Sequence, residues 1–183
     1  GAGAGGGGVG AATGSACGAG AVRSGPSWNQ LWRHLAQRTV RPSTPTALSA
    51  QSLDGVTEVR AGVYVFFDLV MANVGVCTPE NVALSVLTTV IGHQPEKGWV
   101  IVDAGWMAMS RDRGTQRQKI DYGYGIVCDA SGRAIEGLLV GAANQEHGIV
   151  SRRDGAADGS LIDRFPIGTK LRVLPNHACA TGA

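Results

Sequence analysis

From Pro42 onward, β-branched and aromatic residues gather into short apolar runs separated by glycine, proline, aspartate and asparagine. The runs are VYVFFD (63–68), ALSVLTTVIG (83–92), GWVIVDAG (98–105), YGIVCD (124–129), AIEGLLVG (134–141), EHGIVS (146–151) and TKLRVLP (169–175). Runs of this length and spacing predict β-strands, and their number predicts a mainly β chain, an antiparallel sheet or small barrel. Ala130-Ser131-Gly132 reads as a turn, and 151–160, SRRDGAADGS, as a polar loop. No internal repeat is evident.

The amino-terminal part has a different pattern. Over 27–39 the residues Trp28, Leu31, Trp32 and Leu35 recur at spacings of three and four, which predicts a helix with Ser27 as its cap. His34 reads as a surface residue of that helix. Residues 1–25 have no periodicity at all, and 18 of the 25 are Gly or Ala. Such a stretch carries a high backbone entropy cost and offers few side chains to bury, so it is expected to be disordered. Its GAGAGGGG run is not followed by Gly-Lys-Ser/Thr and is no phosphate loop.

Composition narrows the function classes. The 183 residues are 44% hydrophobic, enough for one domain core and a remnant. A net charge of +2 argues against nucleic acid and anionic membrane surfaces as partners. No apolar run reaches the roughly 18 residues of a membrane span, and no secretory signal is visible. The cysteines at 17, 77, 128 and 179 form no CxxC pair. They read as reduced thiols of a cytoplasmic protein, with Cys77 and Cys128 as small buried apolar residues.

Four clusters could carry chemistry. If the strand at 169–175 continues, His177 and Cys179 share one face and form a pair of ligands for Zn²⁺, with positions left open for water and substrate. The alternative is a satisfied core histidine and cysteine. Thr44 can cap a helix beginning at Pro45, and with Ser43 it would form a phosphate cradle or an ordinary helix start. Asp103, followed by Ser110-Arg111-Asp112, sits at a strand–loop junction, as functional and turn-forming acids both do. Glu146 and His147 could do acid–base work, although adjacent strand residues face opposite ways.

In order, STPTAL, GVTEVRAGVYVFFDLVMANVG, VIVDAG, AMSRDRG, NQEHGIV and PIGTKLRVLPNHAC resemble the D-serine dehydratase-like and D-threonine aldolase group over residues 42–183. That resemblance implies the alanine-racemase-like fold, with an amino-terminal α/β barrel carrying pyridoxal phosphate and a carboxy-terminal β domain. It divides the chain into a Gly/Ala segment (1–25), a helical barrel remnant (26–57) and a β domain (58–183). His177 and Cys179 match the family's metal ligands, usually zinc in the dehydratases. Ser43 and Thr44 match the stretch that contacts the cofactor phosphate. The implied substrates are D-hydroxy amino acids, dehydrated as in D-serine and D-threo-3-hydroxyaspartate dehydratases, and the implied assembly is a homodimer. The aldolase branch, which cleaves Cα–Cβ, prefers Asp at the position of Cys179.

Two departures qualify the expectation. Pro42 stands where the family has glycine, and none of Lys97, Lys119 and Lys170 matches the Schiff-base lysine. Residues 1–41 stand where most of the barrel would be. The chain by itself is therefore expected to be inactive, and a non-catalytic β module binding a metal or a partner is the reading from another class.

Overall fold

The computed structural model describes Ser52, residues 54–59 and residues 62–183, with the backbone alone at Thr39, Val40 and Val59. The predicted disorder of 1–25 and the helix of 27–39 lie outside these residues, apart from Thr39. That residue is in a strand: β1 (Thr39–Val40) pairs in parallel with β2 (Glu58–Val59).

Six further strands follow: β3 (Val86–Gln94), β4 (Trp99–Val102), β5 (Gly125–Cys128), β6 (Ala134–Ala143), β7 (Gly148–Arg152) and β8 (Lys170–Pro175). They close into a barrel in the order β3-β4-β7-β6-β5-β8, with every neighbouring pair antiparallel. Closure leaves the barrel itself without an unpaired edge. The mainly β expectation holds, as an antiparallel barrel.

Interior and exterior positions alternate along the strands, most plainly in β4, where Val100 and Val102 are buried and Trp99 and Ile101 are only partly so. Val90, Val100, Val102, Val127, Val140, Val150, Leu171 and Val173 fill the interior, with Leu161 and Phe165 packed on the same core. Leu161 comes from a short helix, α3 (Ser160–Arg164). Gly98 at the β3–β4 turn is required twice over. Its φ is +61°, and a Cβ there would lie 2.2 Å from the Asp158 amide nitrogen.

β5 is buried on both faces. Ile126 and Cys128 point away from the interior into a second cluster with Leu69, Val82, Tyr122 and Leu174. Leu69 opens helix α1 (Leu69–Val74), so α1 covers the outside of the barrel where β5 and β8 run together. Burial, aided by the charge of Asp129 and opposed by Arg172, pushes the Cys128 thiol up to about 11 from 9.0. The folded protein thus favours the neutral thiol. Its contribution is complete below pH 9 and is lost as pH rises through 11, on the order of 2–3 kcal/mol. Urea unfolding across this window should show the loss in the parent chain and a flatter profile in Cys128→Ala; equal profiles would contradict it.

One strand expected from the sequence is absent. VYVFFD forms a 3-10 turn at Val63–Val65, closed by Phe66 and Phe67 amides donating to the Val63 carbonyl. Phe67 has a φ of +52° and packs on the second cluster beside the start of α1. Tertiary anchoring of Phe67 and Asp68 here overrides the strand propensity of the run.

Candidate functional site

The segment Pro175-Asn176-His177-Ala178-Cys179 leaves the barrel at the end of β8, on the α1 side. The strand does not continue. His177 is the amino-terminal cap of a short helix, α4 (Ala178–Thr181), and Cys179 lies within that helix. The expected shared strand face is therefore corrected: a helix start positions the two side chains.

Two buried polar residues hold this turn. Asp68 is 1% exposed, and each of its oxygens has a separate task. Oδ1 accepts from the Met71 amide at 2.9 Å and caps α1. Oδ2 accepts from the Ala178 amide at 3.0 Å, the first amide of α4. Asn176 is 2% exposed. Its Oδ1 accepts from the Thr115 hydroxyl at 2.8 Å, its Nδ2 donates to the carbonyls of Gly123 and Asp112, and its own carbonyl accepts from the Val70 amide. Thr115, fully buried, accepts in turn from the Tyr122 amide. Thr181 closes the far end of α4 by donating to the Met109 carbonyl in α2 (Trp106–Met109).

On this support His177 is half-exposed, and its Nδ1 lies 2.5 Å from Asp112 Oδ2. Nε2 has no protein partner among the described residues and is the nitrogen left for a ligand. Cys179 is exposed and unpaired. An imidazole nitrogen and a thiol, both accessible, are donor types that suit zinc or a similar divalent ion. Among the described residues no group of three or more His, Cys, Asp or Glu could hold a metal. His177 Nε2 and the Cys179 thiol would supply two protein ligands and leave positions for other groups.

The remaining candidates separate from this one. Asp103 is a structural tie: its Oδ1 accepts from the Thr88 hydroxyl and the Thr89 amide at 2.7 and 2.8 Å. Burial would raise its pKa, but those bonds and the charge of Lys170 outweigh it and hold the carboxyl below its ordinary value. After Asp103, Gly105 lies against the 144–145 turn so closely that a Cβ would come within 2.4 Å of the Asn144 carbonyl. Glu146 and His147 belong to this exposed turn, because β7 begins only at Gly148; the strand expected to carry them starts two residues later. Ser43 and Thr44 lie outside the described residues, as does Cys17. An open cavity of about 620 Å³ lined by Arg133, Ile135, Arg164, Phe165, Lys170 and Leu171 contains none of the candidate residues. Lys170 donates to the Thr89 hydroxyl, and Lys97 lies 4.4 Å over the Trp99 ring. No helix among the described residues is long and apolar enough to cross a membrane.

Asp68, Asn176 and Thr115 were not singled out from the sequence. Asp68 and Asn176 border apolar runs, whereas Thr115 sits in the polar stretch 110–119, and the partners of these residues lie 110 and 61 residues away.

Comparison with known proteins bears on the same segment. Residues 83–183 match the family described as “Putative serine dehydratase domain”. The chain is 73% identical over 141 residues to D-threo-3-hydroxyaspartate dehydratase of Delftia sp. strain HT23, and 33% identical over 133 residues to D-serine dehydratase of Dictyostelium discoideum. The matches cover 77% and 70% of this chain but 37% and 32% of those proteins. The chain thus spans about a third of the length of these curated relatives. The solved structure of the Delftia enzyme superposes with a TM-score of 0.75, covering 77% of this chain and 37% of that one. An alanine-racemase-like protein from Idiomarina loihiensis, 51% identical, superposes at 0.70 over 76% of this chain and 36% of that one. Structures of the dehydratase also exist with a histidine replaced by alanine and with a cysteine two positions further on replaced by alanine, the latter in the metal-free form.

Proposed function

Because the chain belongs to the serine dehydratase domain family, we propose that it is the carboxy-terminal, metal-holding part of a lyase that dehydrates D-hydroxy amino acids. The observation that carries the reading is 73% identity to a D-threo-3-hydroxyaspartate dehydratase across 141 residues. The histidine and cysteine altered in the dehydratase structures have the spacing of His177 and Cys179, which supports these two as the metal ligands. Residues 58–183 are then the β domain.

In this reading His177 and Cys179 hold the ion, while Asp68 and Asn176 keep the turn that carries them rigid. Zinc, when bound there, supplies Lewis-acid assistance to departure of the β-hydroxyl, a poor leaving group. Pyridoxal phosphate in the complete enzyme supplies the electron sink for loss of the α-proton, with Ser43 and Thr44 proposed at its phosphate on the sequence match alone. Cys179 in place of the aldolase branch's Asp favours dehydration over D-threonine aldolase-type cleavage. A homodimer is part of the same proposal.

Purified chain should contain stoichiometric zinc by metal analysis, and the His177→Ala, Cys179→Ala double variant should contain little. Equal zinc in both would refute the ligand assignment. The chain alone should show no dehydration of D-serine or D-threo-3-hydroxyaspartate with added pyridoxal phosphate; measurable turnover would refute that. A second reading, a metal- or partner-binding β module without its own catalysis, is favoured by one observation. The chain covers 77% of an uncharacterised Mycobacterium tuberculosis protein, 31% identical over 117 residues, so this region makes up most of that relative.

A further inference from the structure

Asp112 holds the ring of His177 from the side opposite the free nitrogen. We propose that Asp112 is a positioning residue for the metal: it accepts a hydrogen bond from Nδ1–H, fixes the tautomer, and leaves the Nε2 lone pair as the ligand. The inference rests on the metal reading given above and adds to it a residue and a choice of nitrogen.

Three features carry it. First, Asp112 Oδ2 is the sole protein partner of the His177 ring among the described residues, and it meets Nδ1. In the neutral imidazole one nitrogen donates and the other accepts, so a carboxylate at Nδ1 selects the Nδ1–H form. Second, Asp112 is itself held in place. Its amide donates to the Ser110 hydroxyl at 3.0 Å, and Ser110 has a φ of +77°, a conformation costly for a residue with a side chain. Third, one residue serves both partners. Asn176 donates from Nδ2 toward the Asp112 carbonyl at 3.4 Å and directly precedes His177 in the chain, so the loop at 110–112 and the ligand turn share one buried anchor. A carboxylate on the far nitrogen of a metal-ligating histidine sets the ring's orientation and raises its basicity.

The test needs a readout besides turnover. In metal-free chain with ¹⁵N-labelled histidine, NMR at a pH where the ring is neutral should find the proton of His177 on Nδ1. In Asp112→Ala it should redistribute toward Nε2, with circular dichroism confirming that the variant is folded. Co²⁺, titrated by its visible absorption, should bind the parent chain and bind Asp112→Ala roughly ten- to a hundred-fold more weakly. Asp112→Glu, which keeps the carboxylate, should recover part of the loss. If the parent binds Co²⁺ through His177 while Asp112→Ala keeps both its affinity and its tautomer, the role of Asp112 is overturned and the metal site stands. If the parent binds no Co²⁺, or if His177→Ala binds it equally, the metal reading fails and the positioning role falls with it. A shifted tautomer in Asp112→Ala would then show only that Asp112 orients the ring.

Discussion

Replacing Asn176 with alanine is expected to destabilise the protein by about 3–5 kcal/mol, since buried groups left without partners cost about 1–3 kcal/mol each. The side chain is almost wholly enclosed and satisfies the Thr115 hydroxyl and the Gly123 carbonyl, with a longer bond to Asp112. Thr115 is fully buried and has no route to water. Urea unfolding should show a lower midpoint at an unchanged slope, the mark of lost stability without a change in surface exposed. Thr115→Val removes one partner of the same network, so the double variant should lose less than the sum of the two single losses. A loss in Asn176→Ala below about 1 kcal/mol would mean that the network is replaceable and does not hold the turn that carries His177.

What the sequence revealed and what it hid divide along a physical line. Strands β3 to β8 were legible because β-branched and aromatic residues gather in short apolar runs bounded by turn residues, as at 98–105 and 169–175. The pairing order was not legible, because it depends on which runs meet in space. The run at 63–68 has strand composition, but its conformation is decided by Phe67 and Asp68, which answer to partners elsewhere in the fold. His177 and Cys179 were visible as residue types at a suggestive spacing, although a helix start and not a strand presents them. The groups that make the turn rigid act across long separations: 110 residues from Asp68 to Ala178 and 65 from Asp112 to His177. No local pattern encodes such pairs. Asp112 was noted as part of an acidic strand–loop junction, yet nothing near it in the chain pointed to an imidazole.

Asp68 offers a way to separate the capping of α1 from the anchoring of α4. Asp68→Ala removes both and should cost about 2–4 kcal/mol, combining a lost helix cap with a buried amide left unpaired at Ala178. Asp68→Ser keeps a good capping oxygen for the Met71 amide but is too short to reach Ala178 as well, so it should retain roughly the 1 kcal/mol that a cap contributes. Asp68→Asn fills the same volume yet turns one acceptor into a donor facing an N–H group, and should fall nearer to alanine than to serine. Hydrogen exchange at the Ala178 amide reports on the anchoring directly. It should accelerate in all three variants, whereas protection at Met71 should survive in Asp68→Ser. If Ala178 stays protected while Met71 loses protection, α4 is held by Thr181 and its neighbours instead. If both amides stay protected in Asp68→Ala, the carboxylate ties neither helix. The predicted pattern would make a single buried carboxylate the link between the outer helix of the barrel and the turn that presents His177 and Cys179.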